Sequence, residues 1–98
     1  MNVTMKREDN VLYAAVSGEV DALTAPALKE QLIPALEGIE RLELDFAELD
    51  YISSAGLRVL LTVMQIMFEQ GEMTVRNVSD DIRSVLDMTG FSDDLNIE

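Results

Sequence analysis

Segments with the two-residue period of a β-strand alternate along this chain with segments of helical period. Apolar and charged side chains alternate strictly over residues 41–46, which predicts a strand with one buried face. From Ser54 to about Gln70 the polar side chains instead recur every three or four positions, which predicts a helix. Because strands joined through helices usually pair in parallel, this order predicts an α/β fold.

The same patterns extend along the whole chain and fit a single domain over residues 1–98. A tight turn at Asp9 and Asn10 joins the first two strands into an antiparallel hairpin. We expect the order β-β-α-β-α-β-α, with either a closing edge strand or a frayed end at 95–97. The predicted sheet is mixed and four- to five-stranded, with the crossover helices packed mainly on one face. Its strands are expected at 2–7, 11–17, 41–46 and 73–76.

The residue types that the chain lacks exclude most kinds of enzyme. There is no Cys and no His, which removes thiol nucleophiles, the commonest metal ligands and the Ser-His-Asp triad. Neither lysine follows a serine at the spacing of a Ser-x-x-Lys site. Asp45, Glu48 and Asp50 are close in sequence, but acid–base catalysis requires that carboxylates converge on one cleft. We therefore expect a protein that is not an enzyme and needs no cofactor or metal.

The net charge of −12 restricts the class of partner. Such a field repels nucleic acid and anionic membrane surfaces, so a protein partner with a basic or mixed face fits better. The sequence has no apolar run of about 18 residues and no signal peptide at its N-terminus, and a cytoplasmic protein is expected.

Ser53 and Ser54 stand where a strand-like run stops and the long helix starts. The first turn of a helix has free N–H groups and a partial positive charge, so a phosphate on a hydroxyl there would be tolerated. Serine is also a common helix cap, and capping alone is the simpler interpretation of Ser53. The junction is the leading candidate for a functional site.

Three blocks of the sequence resemble the STAS domain of bacterial anti-sigma-factor antagonists. Residues 18–21 and 24–28 are similar to the Gly-Glu-Leu-Asp, Thr-Ala and Leu segment of that family. Residues 50–61 are similar to the segment that carries its phosphorylatable serine, and residues 85–91 to its closing helix and turn. The blocks stand in the family's order and span nearly the whole chain.

The resemblance assigns roles to individual residues. The phosphorylated serine of the family stands two residues before the helix-opening glycine, and counting back from Gly56 gives Ser54, with Ser53 as second choice. Ser53 takes the place of a common Asp, and Ala55 that of a common Ser or Thr. Asp21 matches an aspartate near the phosphorylation region. The implied partner-binding residues are Asp21, Ser53, Ala55, Gly56, Leu57 and Arg58.

The resemblance also implies a partner-switching cycle. The unphosphorylated protein would bind an anti-sigma factor that is also a serine kinase, with ATP and Mg²⁺ held by the kinase, and would thereby release the sigma factor. Phosphorylation would block binding, and a metal-dependent serine phosphatase would reset the system. A monomer or weak dimer is expected. The alternative is a STAS module that is not phosphorylated and serves as a structural or sensory subunit of a larger complex.

The predicted helix 54–70 has a broader apolar surface than most surface helices. Either the chain's own sheet covers it on nearly all sides, or part of it meets a partner. Full coverage is the simpler interpretation. Met64, Met67 and Met88 are expected to fill the core, and Asp93 and Asp94 to form a solvated end.

Overall fold

A computed structural model of the chain describes residues 1–91 and 96–98. The predictions for Asp93, Asp94 and Leu95 lie outside the described residues. In chain order the elements are β1 (Asn2–Glu8), β2 (Val11–Val20), α1 (Ala25–Leu32), a 3₁₀ helix (Pro34–Leu36), β3 (Arg41–Asp45), β4 (Leu49–Ile52), α2 (Ser54–Gln70), β5 (Glu72–Arg76), α3 (Asp80–Met88) and β6 (Asn96–Ile97).

The strands form one mixed, six-stranded sheet. β1 and β2 make the predicted antiparallel hairpin, and the parallel pairs β2–β3, β3–β5 and β5–β6 complete the order β1-β2-β3-β5-β6. β4 lies off this path and pairs in parallel with the last residues of β2. The α/β fold and the hairpin are confirmed. The expected count of four to five strands was too low, because β4 was not predicted.

The helices cover one face of this sheet. Along β2 the side chains of Leu12, Ala14 and Val16 are buried, whereas Tyr13 and Ala15 between them are exposed. This alternation follows from the two-residue period of a strand. The core therefore lies between this face and the helices, and the buried side chains of α1, α2 and α3 belong to the same cluster.

Gly71 ends α2 where the helix meets the chain that leads into β3. Its N–H donates to the Met67 carbonyl at 2.7 Å. A Cβ at this position would overlap the backbone carbonyl of Glu40, which accepts the Glu72 N–H at 2.9 Å. Glycine is therefore required here by the close approach of two backbone segments.

The sheet covers α2 along one side only. Val59, Val63 and Met67 are buried, but Leu61 is 39% exposed and Phe68 is 85% exposed. The interpretation in which the chain's own sheet covers this helix on nearly all sides is therefore wrong. A domain of this size has too few elements to place one on each side of a helix.

The methionines follow the same division. Met67 is buried and Met64 is half-buried against the core, as expected. Met88, at the last residue of α3, is 87% exposed, so its prediction as core filling is wrong. The buried face of α3 consists instead of Ile82 and Leu86, which both lie inward of Met88.

Candidate functional site

The candidate site lies where β2 and β4 end side by side. Val20 is paired with Ile52 in the parallel register, and the Ser53 N–H donates to the Val20 carbonyl at 2.8 Å. The residues that follow the two strands, Asp21 after β2 and Ser53 after β4, are therefore neighbours at one edge of the sheet. The fold thus brings the candidate aspartate and the two candidate serines together, although 32 positions separate Asp21 from Ser53 in the sequence.

The two serines have different surroundings. Ser53 is the N-cap of α2, is half-buried, and its Oγ accepts the Gly56 N–H at 3.4 Å. Ser54 is the first residue of the helix and is exposed. Within residues 1–91 and 96–98, nothing hydrogen-bonds to its hydroxyl. Ser53 therefore fills the capping role, while the Ser54 side chain is exposed and takes no part in the cap.

Gly56 seats the start of α2 against the ends of the two strands. The residue is buried, and a Cβ there would lie 2.7 Å from Ile52 Cγ1, 2.8 Å from Val20 Cγ1 and 3.2 Å from the Val20 carbonyl oxygen. Only glycine allows this approach without displacement of its neighbours. The close packing fixes the position of the Ser54 hydroxyl relative to the loop after β2.

Asp21 closes the loop after β2 through hydrogen bonds. Its Oδ1 accepts the backbone N–H groups of Thr24 (3.0 Å) and Leu23 (2.9 Å), and its own N–H donates to Thr24 Oγ1 (2.9 Å). These bonds, that from the Thr24 N–H foremost, hold the pKa of the Asp21 carboxyl below its ordinary value because they favour the charged form. Within the described ranges its Oδ2 has no hydrogen-bond partner. Several hydrogen bonds therefore hold this loop, and one carboxylate oxygen of the half-buried Asp21 is left without a partner among the described residues.

Leu23 stands at the tip of this loop and is 89% exposed. A lone leucine between turn residues belongs to no sequence pattern, so its exposure is not predicted from the sequence. The one signal in the sequence is that it lies two residues after Asp21. The loop that carries this exposed leucine is held by several hydrogen bonds.

The exposed face of α2 begins at Ser54 and continues along the helix. Leu61 and Phe68 follow Ser54 at intervals of seven, so the three side chains lie on nearly the same line. Arg58 is exposed one turn after Ser54, and Leu57 is half-buried beside it. Any partner that lay along this line would cover the Ser54 hydroxyl.

The described residues contain no cluster of acidic side chains suited to holding a metal. Asp45 accepts the Ala47 N–H at 2.9 Å and the Asn77 side-chain amide at 3.0 Å, so its carboxylate is engaged in turn structure. Nor is any helix among residues 1–91 and 96–98 long and apolar enough to cross a membrane.

Comparison with known proteins identifies the fold family. The sequence profile described as STAS domain matches residues 2–98. The chain belongs to the STAS domain family. BtrV of Bordetella bronchiseptica is 39% identical to this STAS domain over 93 residues, which cover 93% of the chain and 80% of BtrV. The anti-sigma-B factor antagonist of Bacillus subtilis is 30% identical over 98 residues, covering 99% of the chain and 90% of that protein.

Solved structures agree with this family. The unphosphorylated form of the Bacillus anti-sigma factor antagonist SpoIIAA superposes with a TM-score of 0.85 at 16% identity, over 99% of this STAS domain and 88% of SpoIIAA. Its phosphorylated form gives a TM-score of 0.77, over 99% and 91% of the two chains. At this identity the likeness concerns the fold. It confirms the predicted α/β fold.

Proposed function

We propose that this STAS domain is an anti-sigma-factor antagonist in a bacterial partner-switching cascade, acting as a regulatory protein in the cytoplasm rather than as an enzyme. Its unphosphorylated form binds an anti-sigma factor that is also a serine kinase, and the sigma factor is released. The observation that carries the proposal is the exposed hydroxyl of Ser54 at the start of α2, which has no hydrogen bond within residues 1–91 and 96–98 and follows the strand beside the hydrogen-bonded loop of Asp21. The names of the curated relatives support it.

The chemical step is transfer of one phosphoryl group to Ser54 Oγ. The bond between the β–γ bridging oxygen and the γ-phosphorus of ATP breaks, ADP leaves, and the hydroxyl proton passes to a base of the kinase. ATP and Mg²⁺ belong to the kinase. A metal-dependent serine phosphatase later hydrolyses the phosphoserine with water and restores the hydroxyl. This chain contributes the position and freedom of the hydroxyl, and Ser53 is left to cap the helix.

The consequence of phosphorylation is larger for binding than for folding. A phosphate adds about 1.5 to 2 negative charges near neutral pH. At the first turn of α2 the helix dipole changes stability by only about 0.3–1 kcal/mol, and in the favourable direction. A partner that covers the same spot meets added bulk and charge, at a cost of about 3 kcal/mol, equivalent to about 100-fold in affinity. The switch therefore acts at the interface.

The proposed contact surface differs from the one that the sequence predicts. Gly56 is buried beneath Val20 and Ile52, so its role is to seat the helix and it does not touch a partner. Ser53 is half-buried and engaged as the cap. The residues that remain available for contact are the exposed or half-buried ones around the hydroxyl: Asp21, Leu23, Ser54, Ala55, Leu57 and Arg58.

Mapping of the modified residue tests this proposal. The protein is incubated with the anti-sigma-factor serine kinases of its own organism and ATP, and the peptide spanning residues 42–58 is sequenced by mass spectrometry. We expect one phosphoryl group on Ser54 in the native chain and in Ser53→Ala, and none in Ser54→Ala. Phosphorylation of Ser53 in the native chain would overturn the assignment of the acceptor.

A second function is favoured by the exposed apolar residues of α2. Leu61 and Phe68 suit a STAS module that docks into a larger complex as a structural or sensory subunit without phosphorylation. The two functions differ in their sensitivity to substitution. In the second, Phe68→Ser would release the protein from its complex, whereas Ser54→Asp would leave it bound.

A further inference from the structure

Arg58 stands one helical turn after Ser54 on the exposed face of α2. Residues four apart on a helix are neighbours on its surface, and helical side chains lean toward the N-terminus. The guanidinium of Arg58 can therefore reach back to the first turn, where the Ser54 hydroxyl is free. An acidic group at the first position and a basic group four residues later is also the more favourable order for such a pair.

Arg58 differs from the other arginines in having no partner among the residues that the structure describes. Its guanidinium forms no hydrogen bond or ion pair within those ranges. Arg41, Arg76 and Arg83 each contact a carboxylate, of Glu72, Glu43 and Asp87 in turn, and Arg7 donates to the backbone carbonyls of Asp9 and Glu37. In a chain with 19 acidic residues and 7 basic ones, an arginine with neither a carboxylate nor a carbonyl partner in the described ranges is unexpected.

We propose that Arg58 is the internal counter-ion of the phosphate on Ser54. The inference rests on the proposed function, since it assigns a partner to the group which that function adds. In the unphosphorylated protein the guanidinium is presented to the kinase. After phosphorylation the Arg58 guanidinium pairs with the phosphate on the same helix. The contact surface then carries the added bulk of the phosphate, and the guanidinium no longer offers its charge to the kinase.

The charges around the hydroxyl explain why such a counter-ion is needed. The neighbouring loop places the Asp21 carboxylate at the same edge of the sheet, held in its charged form by backbone N–H groups. A phosphate on Ser54 therefore adds a second anionic group at this edge of the sheet, on a protein with a net charge of −12. The planar guanidinium matches phosphate oxygens in a bidentate geometry that an ammonium group lacks.

The test uses the full chain with phosphoserine inserted at position 54 during translation, so no kinase is required. The second ionisation of the phosphate is followed by phosphorus-31 NMR as a function of pH in the phosphorylated parent, Arg58→Gln, Arg58→Lys and Arg41→Gln. Arg41 is the matched control because it carries the same charge and lies at the opposite end of the sheet, where β3 begins. Circular dichroism verifies that each variant is folded.

We expect Arg58→Gln to raise the second pKa of the phosphate by about half a unit, as suits loss of one solvent-exposed charge pair. Arg58→Lys should raise this pKa by less, and Arg41→Gln should leave the second pKa of the phosphate unchanged. An equal value in the parent and in Arg58→Gln would overturn the proposal, and so would an equal rise with Arg41→Gln.

The outcome separates this inference from the proposed function. If the native protein is phosphorylated on Ser54 but the titration does not respond to Arg58, the switch stands and the counter-ion is refuted. If no kinase modifies the native protein while the inserted phosphoserine responds to Arg58, the proposed function fails and the pairing stands.

Discussion

Substitution of Gly56 by alanine would test how closely α2 is seated against the sheet. On an open helix this change stabilises by about 1 kcal/mol, because alanine has the higher helix propensity. Here the new Cβ would lie 2.7 Å from Ile52 Cγ1 and 2.8 Å from Val20 Cγ1, closer than carbon atoms approach without displacement. Both neighbours are β-branched and buried, so neither can turn aside easily.

The expected balance is destabilising. Overpacking of a buried site costs about 1–3 kcal/mol, and the upper part of that range, about 2–3 kcal/mol, applies here because the Val20 carbonyl oxygen at 3.2 Å brings backbone into the collision. After subtraction of the propensity gain, we expect Gly56→Ala to lower the free energy of unfolding by about 1–2 kcal/mol. For a domain of this size that is a fall in Tm of about 4–16 °C, at about 4–8 °C per kcal/mol.

The assay is urea denaturation of Gly56→Ala beside Ser54→Ala, followed by circular dichroism. Ser54 is exposed two positions earlier on the same helix, so its substitution should change the free energy of unfolding by no more than about 0.5 kcal/mol. The slope of the free energy of unfolding against urea concentration should be the same in the parent, Gly56→Ala and Ser54→Ala. If Gly56→Ala were as stable as the parent or more stable, α2 would not approach β2 and β4 as described, and the fixed position of the Ser54 hydroxyl would lose its basis.

Three further substitutions probe the surroundings of the site and the far end of α2. Ser53→Ala removes the long capping hydrogen bond from the Gly56 N–H and should lower the free energy of unfolding, measured in urea, by about 0.5 kcal/mol. The kinase should still phosphorylate Ser54 in this variant. Asp21→Asn should be less stable than the parent above about pH 5, and the difference should shrink as the pH falls through the lowered pKa of Asp21; a constant difference would refute this. Gly71→Ala should destabilise more than Gly56→Ala, because its Cβ meets the backbone of Glu40; equal Tm values would contradict that.

The fold was largely predictable because periodicity and turn residues agree along most of the chain. β4 was missed since only the first and last of its four residues are buried, which gives no alternation. Its pairing with β2 also shifts register at Gly18 and Glu19, a feature that depends on the partner strand. β2 extends past the end of its pairing with β3, and its last residues would leave backbone groups unpaired there. β4 forms because it pairs with those groups, and this depends on the fold of β2 and β3.

The sequence predicts that the site lies at the junction of a strand and a helix, but it does not predict how the side chains are arranged there. Serine before an apolar helix indicates a cap, and the structure gives that role to Ser53. Ser54 does not cap the helix because Ser53 does. The sequence leaves open which of these two adjacent serines is the cap. The exposure of Phe68 could not be predicted, because an apolar side chain on a helix is normally assigned to the core.

A phosphate at Ser54 is expected to block binding of the partner without altering the fold. Calorimetric titration of the cognate anti-sigma-factor kinase into the native protein, and into the chain with phosphoserine at position 54, tests this expectation. We expect an affinity lower by about 100-fold for the phosphorylated chain, corresponding to about 3 kcal/mol, with the circular dichroism spectrum unchanged. Equal affinity of the two forms would contradict it.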